Sequence, residues 1–96
     1  MVSVKIKLFE PFAEIVGHKL LWIKIKADNT VEDVLTTLDQ MSVGTLKKSL
    51  IDTTTEAPHQ HVTILVNGLD IDFLAGLKTA LKDKDTISIL SPVVGG

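Results

Sequence analysis

The chain has 96 residues, a formal net charge of −2 and hydrophobic residues at 45% against 23% charged, which describes one small domain with enough apolar surface for its own core and excludes a two-domain enzyme. It contains no cysteine, so disulfides, thiolate nucleophiles and cysteine zinc sites are excluded. Its Lys+Arg total of 10 is all lysine, and without arginine forks or a net positive field no nucleic-acid partner is expected.

The opening residues, MVSVKIKLFEP, alternate lysine with apolar residues and never become the apolar run that a signal peptide or membrane span requires, so the expectation is a soluble cytoplasmic protein with no membrane partner. A first strand is read from Val2 to Phe9, with Val4, Ile6 and Leu8 on one face and Lys5, Lys7 and Phe9 on the other. Glu10-Pro11 ends it, Phe12 to Val16 is a short apolar segment with room for one helical turn, and Gly17 supplies a flexible position. A second strand is read from Lys19 to Ala27, where Leu21, Ile23 and Ile25 oppose Trp22, Lys24 and Lys26, so the two strands form an amino-terminal hairpin.

Asp28-Asn29-Thr30 then offers a helix cap, with Thr30 and Asp33 spaced as a capping box and Asn29 as the competing cap. Val31, Val34, Leu35 and Leu38 recur at helical spacing and place one apolar stripe against a sheet, while Glu32, Thr36, Thr37 and Asp39 face water. A weaker helical piece is expected over Thr45 to Leu50, with Leu46 and Leu50 inward, and Gly44 argues against a continuous helix. Asp52 to Gln60 shows neither period and reads as a surface loop. Val62 to Val66 is a strand, Asn67-Gly68 is a hairpin turn signal, and Leu69 to Ile71 is a short return. Phe73 to Leu81 has room for a helical turn, and Asp83-Lys84-Asp85 precedes a last strand from Thr86 to Leu90. The expected architecture is an α+β domain, a mostly antiparallel mixed sheet packed on one main helix.

Packing one sheet face on the helix buries Val4, Ile6, Leu8, Leu21, Ile23, Ile25, Ile64, Val66, Ile87 and Ile89. The opposite parity exposes Phe9, Trp22, Leu65 and Leu90, a set large enough for a partner-binding patch, with Lys5, Lys7, Lys24 and Lys26 as its rim. The plainer alternative is that Phe9 and Trp22 shield sheet edges. Nothing in the sequence makes an active site: His18, His59 and His61 have no acid or hydroxyl at a catalytic spacing, and a metal needs more ligands than His59-x-His61 offers. Glu32 with Asp33 is explained by capping and Asp70 with Asp72 by the hairpin return, so no cofactor or metal is expected to be bound by the chain itself.

The last residues, Ser91-Pro92-Val93-Val94-Gly95-Gly96, leave the sheet at Pro92, which cannot extend a ladder. Two terminal glycines let a tail thread a narrow tunnel and leave the Gly96 carboxylate unhindered toward a nucleotide phosphate. A carboxylate reacts at neutral pH only after activation, and ATP-dependent adenylation provides it; the protein is then a carried substrate, with ATP, Mg²⁺ and any catalytic cysteine on its partner. The plain reading is a frayed terminus.

Phe12-Ala13-x-x-x-Gly17, the helix start Thr30-Val31-Glu32-Asp33-Val34-Leu35, Val66-Asn67-Gly68, Leu81-x-Asp83-x-Asp85 and the SPVVGG tail together resemble the molybdopterin synthase small subunit family. These are ubiquitin-like β-grasp sulfur carriers, related to archaeal ubiquitin-like modifiers. The resemblance implies a single β-grasp domain over 1–96 with a flexible tail over 91–96, and no catalytic activity of its own. It further implies that Gly96 is adenylated by an E1-like enzyme and converted to a thiocarboxylate, with Gly95 as its slender approach. The tail, with Pro92, Val93 and Val94, then enters the large molybdopterin synthase subunit, where sulfur passes to cyclic pyranopterin monophosphate. Phe9 and Leu90 match positions on the family's partner-facing surface. Family members often carry Pro-Pro where Ser91-Pro92 stands and glycine where Lys84 stands. The same fold and tail also suit an archaeal modifier joined through Gly96 to lysines of target proteins, and a plain binding domain using the Phe9, Trp22, Leu65 and Leu90 face is the third reading.

Overall fold

A computed structural model describes residues 1–10, 12–41, 46, 50–52, 57–58 and 62–90. In chain order the elements are β1 (Val2–Leu8), α1 (Phe12–Val16), β2 (Leu20–Ile25), α2 (Val31–Met41), β3 (Ile51–Asp52), β4 (Ala57–Pro58), β5 (Thr63–Val66), β6 (Leu69–Asp70), two 3₁₀ turns at Ile71–Phe73 and Gly76–Lys78, and β7 (Thr86–Leu90). Five strands form one mixed sheet in the order β2-β1-β7-β5-β6. β1 runs antiparallel to β2 and parallel to β7, and β5 runs antiparallel to both β7 and β6. This is the expected α+β architecture. The sequence's last strand therefore lies in the middle of the sheet, bonded on both sides.

The period-two residues meet the helix stripe on one side of that sheet. Val4, Ile6, Ile87 and Ile89 are fully buried, as are Val31, Val34, Leu35 and Leu38 of α2, and all belong to a single core cluster. Leu46 and Leu50 are helical and fully buried in the same cluster, as their spacing predicts; Gly44 lies outside the described residues. Each such leucine contributes about 1.5–3 kcal/mol by leaving water, which offsets the entropy of ordering the chain. Leu21 departs from expectation: it is only half-buried, because β2 is the edge strand and the core covers it incompletely.

One half of the capping box at α2 forms: the Asp33 carboxylate accepts the Thr30 N–H at 2.7 Å, and it also accepts the Thr30 hydroxyl at 3.1 Å. Asn67 and Gly68 both have positive φ, 53° and 86°, the geometry of a two-residue hairpin turn whose twist suits the flanking strands. The acids around the last turn are structural. Asp83 accepts the Ser3 N–H at 2.8 Å, and Asp85 accepts the Lys82 N–H at 2.8 Å and the Asn67 side-chain amide at 2.9 Å.

Several boundaries move from their sequence expectation. β1 stops at Leu8 rather than Phe9, and β2 covers Leu20–Ile25 rather than Lys19 to Ala27, because Asp28 adopts a left-handed φ of 74° that turns the chain. The expected loop from Asp52 to Gln60 contains a short antiparallel ladder, Ile51 opposite Pro58 and Asp52 opposite Ala57; Pro58 sits there without cost because an edge position needs no donor. Ile71 begins a 3₁₀ turn instead of ending the hairpin, since the Asp70 carboxylate caps that turn at the Asp72 N–H, 2.9 Å away. No helix among the described residues is long and apolar enough to cross a membrane.

Candidate functional site

The sheet face opposite the helix is the candidate site, and its layout follows from the register. Across one row lie Trp22, Lys5 and Thr86; across the next, Leu20, Lys7, Ser88, Leu65 and Asp70. Beyond these, Leu90 stands opposite Thr63, and the Phe9 N–H donates to the Ile89 carbonyl at 3.1 Å, which places Phe9 beside Leu90. Phe9 and Leu90 are thus neighbours, and Leu65 is diagonal to Leu90, a separation of roughly 7–8 Å that long side chains span. Trp22 is not part of that cluster: two rows and the β1 lysines separate it from Leu90.

Two expectations change here. Phe9 and Trp22 are exposed, at 51% and 56%, but Leu65 and Leu90 are half-buried because their strands have neighbours on both sides. Lys5 and Lys7 run through the middle of the face rather than around it, since β1 is the second strand of the sheet. The Lys5 ammonium lies 5.8 Å from the Trp22 ring centroid, a cation–π contact worth about 0.5–1 kcal/mol at an exposed position.

Leu20, exposed at 53%, belongs to the face and is absent from the sequence-derived set. The signal was available, because Leu20 lies two residues before Trp22 and shares its parity. Together Leu20, Phe9, Lys7, Leu8, Glu10 and Lys19 line a cleft of about 460 Å³. Because β1 and β7 are parallel, the cleft lies at the end of the sheet from which the chain departs after Leu90. Pro92, Val93, Val94, Gly95 and Gly96 lie outside the described residues, as do His59 and His61. Among the described residues, no three His, Asp or Glu side chains come together to hold a metal ion.

The face is therefore an apolar cluster at the root of the last strand with a lysine-bearing strand beside it.

Known proteins share this fold. The chain matches the ThiS family over residues 6–96. It is 37% identical over 95 residues to small archaeal modifier protein 3 of Haloferax volcanii, covering 99% of this chain and 100% of the relative. The solution structure of small archaeal modifier protein 1 from Methanosarcina acetivorans superposes with a TM-score of 0.80 at 37% identity, covering 100% of this chain and 98% of that one. A chain of the Amycolatopsis orientalis BexX/CysO complex superposes with a TM-score of 0.79 at 28% identity, covering 97% and 99%.

Proposed function

The chain belongs to the ThiS family of ubiquitin-like carrier proteins, and from that premise we propose that it is a protein modifier whose Gly96 carboxyl group is activated by a partner enzyme and joined to lysines of other proteins. The observation that carries this reading is the end-to-end likeness to a small archaeal modifier protein. In the first step a Gly96 carboxylate oxygen attacks the α-phosphorus of ATP and pyrophosphate leaves, giving an acyl-adenylate. A lysine amine then attacks the carbonyl carbon, the amine loses a proton, and AMP leaves as the isopeptide bond forms. ATP and Mg²⁺ belong to an E1-like adenylating partner, and this chain supplies the carboxyl group and the surface that is gripped.

Phe9, Leu90 and Leu65 form the centre of the gripped surface, and Leu20 extends it through the cleft. Trp22 stands apart, over Lys5. Gly95, Val94, Val93 and Pro92 form the approach to Gly96, a stretch whose small end residues suit a narrow active-site passage.

Sulfur carriage is the second reading, favoured by the character of the family itself. In it, the sulfur of a hydrosulfide supplied by a donor attacks the carbonyl carbon of the same acyl-adenylate, the proton is lost and AMP leaves, and the Gly96 thiocarboxylate so formed delivers its sulfur, in the molybdenum-cofactor version to cyclic pyranopterin monophosphate within a large molybdopterin synthase subunit, with the Gly96 carboxylate regenerated by water. Mass spectrometry of the native protein distinguishes the two. Lysine peptides of other proteins bearing a Gly96 remnant support the modifier, exchange of one terminal oxygen for sulfur without conjugates supports the carrier, and neither product in competent cells would sink both. Adding one residue after Gly96 is expected to abolish every product while the fold persists.

A further inference from the structure

We propose that the free edge of β2 is a docking site for an extended, acidic segment of a partner protein, which adds to the sheet as a sixth strand. The register settles which backbone groups are available. The Leu8 N–H donates to the Lys19 carbonyl at 2.9 Å, so in the antiparallel β1–β2 ladder Lys19, Leu21, Ile23 and Ile25 direct their backbone groups at β1. Leu20, Trp22 and Lys24 therefore direct theirs outward. β2 ends the sheet, and nothing among the described residues pairs with that edge.

Those same three residues have exposed side chains on the outer face, so an added strand meets unpaired N–H and C=O groups together with two apolar side chains at i and i+2 spacing. Strand addition draws affinity from such main-chain bonds and specificity from alternate side chains. The cleft between Leu20 and Phe9 receives an apolar side chain at one end of the added strand, and the Trp22 ring offers a second apolar contact.

Charge selects the occupant. Residues 18–27, which hold β2 and its flanks, carry Lys19, Lys24 and Lys26 and no acid, with Asp28 just beyond, although the whole chain has a net charge of −2. The lysines therefore make the β2 side basic in an acidic protein. They repel the equivalent edge of another copy, a common protection of edge strands, and attract a strand flanked by acids. The opposite edge, β6, is only Leu69–Asp70, too short to serve as that strand from a second copy. The site shares Leu20 and its cleft with the gripped surface but takes no part in the chemistry at Gly96, so failure of strand addition at Trp22 and Lys24 leaves the modifier reading untouched.

The test uses the full chain and a blocked synthetic octapeptide of alternating valine and isoleucine with two acids at each end. Trp22 is the only tryptophan, so its emission reports binding directly. The expected result is a saturable change in Trp22 emission, with amide shifts and slowed exchange at Leu20, Trp22 and Lys24. The same peptide N-methylated at alternate amides is expected not to bind, and the double variant Lys24→Glu, Lys26→Glu is expected to bind about tenfold more weakly. The proposal is overturned if millimolar peptide produces no change, if the shifts fall on Phe9, Leu65 and Leu90 instead, or if a lysine-flanked peptide binds equally well. It is also overturned if the β2 shifts follow protein concentration without peptide, which would make a second copy the occupant. The N-methylated peptide probes the edge without altering the protein, so the proposal stays falsifiable even where the double variant does not fold.

Discussion

Replacing Lys84 by glycine is expected to stabilise the protein. Lys84 has a φ of 70°, a conformation that costs a residue with a Cβ about 1–2 kcal/mol. Glycine adopts it freely but loses more backbone entropy on folding, about 0.5–1 kcal/mol. The difference leaves a net gain of about 0.5–1 kcal/mol, or roughly 2–8 °C in Tm for a domain of this size. The backbone bond from the Lys84 N–H to the Ser3 carbonyl, 2.6 Å, needs no side chain and is retained. Lys84 also stands between Asp83 and Asp85, so losing its charge must be separated from relieving its backbone. Lys84→Ala loses the charge but keeps the Cβ and is expected to bring no gain, while Lys84→Asn, tolerated in this region, is expected to fall between. Thermal unfolding of the three variants by circular dichroism measures the effect. An alanine variant as stable as the glycine variant would refute the backbone argument, and a glycine variant no more stable than the parent would refute the magnitude.

Three further substitutions probe the remaining links. Asp85→Ala removes the acceptor of both the Lys82 N–H and the Asn67 amide, and is expected to cost about 1–3 kcal/mol by denaturant unfolding, since the first bond closes the last turn and the second ties it to the β5–β6 hairpin. Leu35→Ala, at a fully buried position on α2, is expected to cost about 2–5 kcal/mol; a loss below about 1 kcal/mol would mean that the helix stripe is not the main contact of the sheet. Phe9→Glu, at an exposed position, is expected to leave the Tm within a few degrees and to weaken capture by the adenylating partner at least tenfold, measured by calorimetry, as expected for the centre of an interface; full retained affinity would remove Phe9 from the site.

What was legible in the sequence follows from the range over which each force acts. Parity along a strand is local, so Val4, Ile6, Ile64, Ile87 and Ile89 could be assigned inward without any knowledge of their neighbours, and all are buried. The α2 stripe and the positive φ at Asn67-Gly68 are equally local. Strand order is not. Nothing within Thr86–Leu90 says that its neighbours are β1 on one side and β5 on the other, yet that order decides the site: it brings Phe9 next to Leu90, leaves Trp22 apart, and carries Lys5 and Lys7 through the middle of the face. Leu20 is a different case: its outward parity with Trp22 is local and legible, but its place beside Phe9 at the cleft is set by the β1–β2 register.

On the proposed reading, the central place of β7 lets one small domain offer its Gly96 end to a partner. A strand at the sheet edge would be held on one side only, and a pull on the residues beyond it could peel it away. β7 is held by β1 and β5 together and by the buried Ile87 and Ile89, so drawing the tail into a partner's active site does not strip the strand unless two ladders and part of the core yield at once. The bond from the Phe9 N–H to the Ile89 carbonyl holds the end of β7 beside the apolar cluster. Recognition and presentation therefore share one anchor, and a partner that grips Phe9 and Leu90 has, by the geometry of the sheet, already located the point from which the terminal residues leave.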